Sequence, residues 1–251
     1  MSGHSKWASI KHKKGAADAK RGRLFTKFMK EITVAAKASG GDPDMNPRLR
    51  TAMQRAQDAN MPKDNIEKAI KKGTGELPGV TYEELAFEGY GPGGVAIIVD
   101  ALTDNKNRAA AEIRNIFAKR NGNMAGSGSV AWIFSAKGYI LLNKDQISEE
   151  ELFSISVDVG AEDIKTGDKN YELFCDPKDF ENLKAALTAK NLTWETAELT
   201  KIPNSTIKVT GNDAKQLLAL IEALEDHEDA QKVHANFDIP DEVLEEIAQE
   251  I

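Results

Sequence analysis

The chain has 251 residues, 41% of them hydrophobic and 29% charged, with a formal net charge of -7. That length can bury substantial cores in two or three domains, while no apolar run approaches 18 residues, so a transmembrane helix is excluded and "VAIIV" at 95–99 is strand-sized. No apolar signal core precedes a small-residue cleavage site, and the one cysteine, Cys175, forms no internal disulfide, so a reducing cytoplasm and no membrane are expected.

The charge is unevenly divided. The first 37 residues carry ten Lys and Arg against only Asp18 and Glu31. Residues 1–75 hold 17 basic and 7 acidic side chains, a net of +10, and the remaining 176 hold a net of -17. Such asymmetry suggests a module that meets a polyanion, joined to one that repels it.

The first stretch is a basic tail with Lys6, Lys11, Lys13, Lys14, His4, His12 and one aromatic, Trp7. Lysines neutralise phosphates without reading bases, and Trp7 either stacks on an unpaired base or packs on the fold behind it. From Ala16 to Ser39 the period is helical. Leu24, Phe25, Phe28, Met29, Ile32, Ala35 and Ala36 share one face, with Lys20, Arg23, Lys27, Lys30 and Lys37 opposite. That basic stripe lacks the carboxylates that usually pair along a helix surface, so it reads as facing a polyanion.

Two shorter helices follow. "NPRLRTAMQRAQDAN" has Asn46 as N-cap, Pro47 at the first position, and Leu49, Ala52, Met53 and Ala56 inside. "MPKDNIEKAIKKG" buries Ile66, Ala69 and Ile70 and ends at Gly73. Residues 1–75 thus read as a three-helix bundle with a flexible tail. Its expected nucleic-acid contacts are Lys6, Trp7, Lys11, Lys13, Lys14, Lys20, Arg23, Lys27 and Lys30.

"TYEELAFEGYGPGGVAIIVDALT" reads as strand, turn, strand. Gly89, Gly91 and Gly94 spell GxGxxG, but a dinucleotide cradle needs a helix after the loop, and here a strand follows. A hairpin loop is expected instead. "DNKNRAAAEIRNIFAKRNG" is a helix capped near Thr103 or Asp104, with Ile113, Ile116 and Phe117 inside, and "GSVAWIF" reads as the next strand. From there to about residue 204 the elements alternate β-α-β-β-α-β, the ferredoxin-like order. "TIKV", a helix and "DAQKVHANFDI" would then complete the earlier sheet. The expected class is α+β: a three-helix bundle, then two ferredoxin-like α/β sandwiches. The discontinuous one spans 80–133 plus 205–251, and the other, at 134–204, is inserted in it.

No Walker loop, HExxH, GxSxG or CxxC occurs, and four His residues split between the two ends do not suggest a zinc shell. Asp100, Asp104 and Arg108 read as a capping and salt-bridge cluster. The acidic run "IPDEVLEEIAQEI" reads as a solvated amphipathic helix. No catalytic residue, metal or cofactor is expected.

Several long segments carry a family resemblance: "GHSKWASIKHKK", "FTKFMKEITVAAKASGGDPDMNPRLRTAMQRAQDANMPKDNIEKAIKKG", "GYGPGGVAIIVDALTDNKNR" and "GSVAWIF". Together they resemble the YebC family, which includes the mitochondrial translational activator of cytochrome c oxidase subunit I. Three positions depart from the family's usual pattern: Lys106 in "TDNKNR", His234 in place of a usual Tyr, and Ala125 in a usually Gly-rich stretch. The expected protein is a monomeric, cytoplasmic, non-enzymatic regulator of gene expression, of which the resemblance supplies two versions. It would be either a DNA-binding transcriptional regulator or a factor associated with RNA or the ribosome. The competing reading is an enzyme with its site at the "GYGPGG" loop and Asp104/Arg108.

Overall fold

In the computed structural model, which describes residues 18–250, the N-terminal segment folds as α1 (Asp18–Ser39), α2 (Pro47–Asp58) and α3 (Lys63–Thr74). Buried Asn46 joins the first two. Its side-chain oxygen accepts from Leu49 N at 3.1 Å, and its amide donates to Ala35 O and Gly40 O, each at 2.8 Å. One side chain therefore caps α2 and closes the turn that precedes it. Ile32, Ala36, Leu49, Ala56, Ile66 and Ala69 form the core.

Two expectations fail here for physical reasons. Leu24 is 41% exposed, because the buried stretch of α1 begins only at Lys30. Gly73 does not end α3; Gly75 does, at φ +83°. Gly73 instead admits α1, since a Cβ there would meet Thr33 O at 2.4 Å and Ala36 Cβ at 2.7 Å.

The chain continues through β1 (Glu83–Tyr90), β2 (Ala96–Thr103), α4 (Lys106–Lys119) and β3 (Asn123–Met124). Next come β4 (Phe134–Asn143), α5 (Glu149–Val157), β5 (Ala161–Thr166), β6 (Asn170–Cys175), α6 (Phe180–Ala189) and β7 (Thr196–Pro203). Last are β8 (Ile207–Lys208), α7 (Gly211–Glu225), β9 (Ala230–Ala235), β10 (Phe237–Asp238) and α8 (Asp241–Glu250).

β1 and β2 form an antiparallel hairpin in a sheet of order β3-β1-β2-β9. The loop between them turns through Pro92–Gly94, with Gly93 and Gly94 at φ +73° and +76°, angles that favour glycine. Side chains alternate across β2. Ile97, Val99 and Ala101 join Ile113, Phe117, Leu217 and Ile221 of α4 and α7, while Ala96 and Ile98 meet Val130 and Phe134 on the other face. The second sheet has order β5-β6-β4-β7, every pair antiparallel, and α5 and α6 bury Leu152, Leu183 and Leu187 against Ile140, Leu142 and Leu173. Cys175 lies in this core, where burial pushes its thiol up to about 11, an inert group.

The first sheet is not a copy of the second, because it opens on a hairpin rather than on a β-α-β crossover. β8, read as part of "TIKV", pairs in parallel with β10 and not with the first sheet. "GSVAWIF" is not a strand before Phe134. The N–H groups of Gly128, Val130 and Ala131 donate to the buried Glu88 carboxylate at 2.7, 2.7 and 2.9 Å, which takes them away from any ladder. Burial works to raise the Glu88 carboxyl, but these three donors outweigh it and hold it below its ordinary range. The acidic C-terminal helix α8 is anchored through Leu244 and Ile247 in the first sheet's core.

Candidate nucleic-acid interface

Lys6, Trp7, Lys11, Lys13 and Lys14 lie outside the described residues, and Lys20 enters only as a position in the first turn of α1. The remaining three candidates do not form a free stripe. Arg23 lies 3.9 Å from Asp226, with each side chain about two-fifths exposed. Lys27 Nζ donates to Glu225 O at 2.5 Å, and Lys30 Nζ donates to Glu228 O at 3.1 Å and to Asp229 Oδ1 at 2.5 Å. Glu225 ends α7, where exposed carbonyls and the helix dipole favour cations, and Glu228 and Asp229 lie in the turn that follows. Lys30 is only 6% exposed. The face expected to meet a polyanion is therefore occupied by the molecule's own acidic turn at 225–229.

Asp229 is the centre of that contact. Fully buried, its carboxylate accepts from Lys30, from Thr103 Oγ1 at 3.0 Å and from Arg108 Nη2 at 3.0 Å. Arg108 also reaches Asp104 at 2.9 Å. Burial would raise the Asp229 carboxyl, yet Lys30 and Arg108 hold it below its usual range. Asp229 raises the Arg108 guanidinium in return. Tyr82, whose ring lies 5.8 Å from Lys30 Nζ, is raised by burial and by the charges of Asp104 and Asp229.

Asp100, expected beside Asp104 and Arg108, shares the face of Ala96 and Ile98, opposite the one that packs on α4, as alternation along β2 requires. There it accepts from His234 Nε2 at 2.9 Å and pairs with Lys201 of β7, while Lys232 of β9 pairs with Glu198 of β7 at 2.9 Å. The two sheets are thus tied by a polar seam. Burial lowers the His234 imidazole and outweighs the opposing pull of Asp100.

Two other site readings meet obstacles in the geometry. The "GYGPGG" loop precedes β2 and Asp104 follows it, so an eight-residue strand holds them apart by roughly 25 Å. They do not form one site. Glu112, His227 and Asp229 cluster closely enough to suggest a metal shell. However, His227 Nδ1 already accepts from Asp229 N at 3.1 Å, its Nε2 meets Glu112 at 2.9 Å, and the Asp229 oxygens hold Lys30, Thr103 and Arg108. The ligand atoms are committed to hydrogen bonds.

Cations remain open elsewhere on the helical unit. Lys68 on α3, together with Lys71 and Lys72 in its last turn, is exposed, as is Lys37 in the last turn of α1. Arg48 is engaged by Glu31 at 2.8 Å and Glu84 at 2.7 Å. Among the described residues, no helix is long and apolar enough to cross a membrane.

A basic helical unit docked against antiparallel sheets makes this an α+β protein. Residues 5–76 match the model of the TACO1/YebC protein N-terminal domain, and residues 82–237 match that of the TACO1/YebC second and third domain. The chain belongs to the TACO1/YebC family. A "Probable transcriptional regulatory protein" of Syntrophobacter fumaroxidans is 57% identical over 249 residues, covering 99% of this chain and 100% of that protein. One of the same name from Dictyoglomus turgidum is 55% identical over the same span and coverage. The crystal structure of a conserved hypothetical protein from Aquifex aeolicus is 45% identical, with a TM-score of 0.80, covering 90% of this chain and 94% of that one. Relatives bearing the regulator name support a regulatory role for this chain.

Proposed function

We propose that the protein is a non-enzymatic regulator of gene expression that binds nucleic-acid phosphates through its N-terminal unit and works in the cytoplasm as a monomer. The observation that carries this reading is the charge division, +10 in residues 1–75 against -17 in the rest. A polyanion is drawn to the first and repelled by the second. Lys6, Lys11, Lys13, Lys14 and Lys20, with Trp7 as a stacking group, make the first contacts, and the exposed lysines of α3 extend them. Arg23, half-exposed, joins them at the edge, while Lys27 and Lys30 hold the internal contact instead. The working units are 1–75, 80–133 with 205–251, and an inserted ferredoxin-like unit at 134–204.

Lysine-rich contacts to the backbone suit structured RNA, the ribosome's included, and duplex DNA alike. Crosslinking in growing cells, scored for ribosomal RNA against chromosomal DNA, separates a translational from a transcriptional regulator. Recovery of neither nucleic acid would overturn the proposal.

A further inference from the structure

The acidic part of the chain, residues 76–251, has only 16 cations against 33 carboxylates. Among the cations, Arg108, Lys137, Lys178, Lys184, Lys201 and Lys232 form ion pairs within the protein, and Lys144 and Lys165 lie over aromatic rings. Lys119, Arg120 and Lys215 gather in one place. A shallow cleft between the end of α4 and the start of α7 is lined by Lys119, Arg120, Asn121, Lys215, Gln216 and Ala219, with no carboxylate among them. Lys119, Arg120 and Lys215 are all exposed. Neither Lys119 nor Arg120 forms an ion pair among the described residues.

The cleft is also fixed in shape. Asn121 holds a left-handed backbone at φ +57°, a strained angle for a residue with a side chain, and its amide donates to Gln216 Oε1 at 2.9 Å. That bond ties the turn after α4 to the second turn of α7. Gly122, next in the chain, packs so tightly that a Cβ would lie 2.9 Å from Tyr90 O. The cations therefore stand on two anchored helices, where a ligand need not order a loop.

We infer that this cleft is a second phosphate-binding site, and that it takes the backbone of the same nucleic acid held by the N-terminal unit. This rests on the proposed function and deepens it. Concentrating positive charge at one cleft of an otherwise repelling surface restricts where a bound strand can run. The strand's route is then set by the fold of the acidic part and not by the tail alone.

The test is a salt titration of the full-length protein against a fluorescent RNA hairpin and a DNA duplex of matched sequence. Three proteins are compared: the unaltered chain; Lys119→Gln, Arg120→Gln, Lys215→Gln; and a control with the same charge change on the second sheet's side, Lys165→Gln, Lys169→Gln, Lys178→Gln. Each lost phosphate contact lowers the slope of log affinity against log salt by about 0.7 to 0.9. The cleft variant should lose about 2 to 3 in slope and the control almost none, with the two probes showing which nucleic acid uses the cleft. Equal slopes for the cleft variant and the unaltered chain overturn the inference and leave the proposed function standing. Equal losses in cleft variant and control also overturn it, because net charge alone would then explain the effect. If the unaltered chain binds neither probe, the inference and the proposed function fall together.

Discussion

Lys30 and Asp229 face each other with side-chain exposures of 8% and 0%. A buried ion pair is a weak source of net stability, but removing one partner strands the other charge, at a cost of about 3 to 5 kcal/mol. Lys30→Ala should therefore destabilise the protein by that order, as read by denaturant unfolding. Lys30→Ala with Asp229→Ala should be less harmful than the two single losses added together. His234 gives a separate signature. Its folded imidazole is held below its ordinary value, so the unfolded chain takes up a proton first. Its contribution is complete above about pH 6.5 and is lost as pH falls from there towards the folded value. Asp229 acts lower on the scale: its stabilisation is present above about pH 3.9 and fades as pH drops through the depressed folded value. Melting curves between pH 7.5 and 5 should show a decline that His234→Gln removes; an identical decline in both proteins would place the cause elsewhere.

Among the elements, the three helices were largely legible from the residues. Asn46 with Pro47, and the apolar spacing of Leu49, Ala52 and Ala56, announced α2, and the structure keeps each of them in its role. Gly73 misled because a glycine near a helix end usually closes it, whereas here it sits under α1. Gly73→Ala should force α1 and α3 apart and lower stability by about 1 to 3 kcal/mol, a value typical of overpacking. Thermal melting measures it directly. "GSVAWIF" misled for another reason: nothing local reveals that Glu88, forty residues earlier, takes up the N–H groups of this run. Glu88→Gln replaces one acceptor oxygen by a donor and should release the 126–131 turn. Hydrogen exchange at Gly128, Val130 and Ala131 should rise by at least tenfold, with the first sheet's β1–β2 ladder unchanged. Protection retained at all three amides would mean that Glu88 does not hold the turn.

Across the whole molecule, counting charges was enough to divide the chain into a basic and an acidic part. What counting could not show is that the two parts touch. Helical periodicity put Lys27 and Lys30 on a solvent-facing basic stripe, but their partners lie 198 and 199 residues away and Lys30 is buried against them. No pattern within α1 encodes a turn on the far side of the sequence. The polar seam between the sheets was hidden in the same way, since Asp100 and His234 meet across 134 residues. The docking also narrows the proposed interface. With Lys27 and Lys30 committed to the acidic turn, affinity for nucleic acid must come chiefly from the tail lysines and from the cations left open.

A salt titration of the full chain against the variant Lys6→Ala, Lys11→Ala, Lys13→Ala, Lys14→Ala tests that claim most directly. Four lost phosphate contacts should weaken binding and flatten the slope of log affinity against log salt by roughly 3, while the melting temperature stays almost unchanged. An unaltered slope, or a variant that melts early, would contradict the assignment of phosphate binding to the tail.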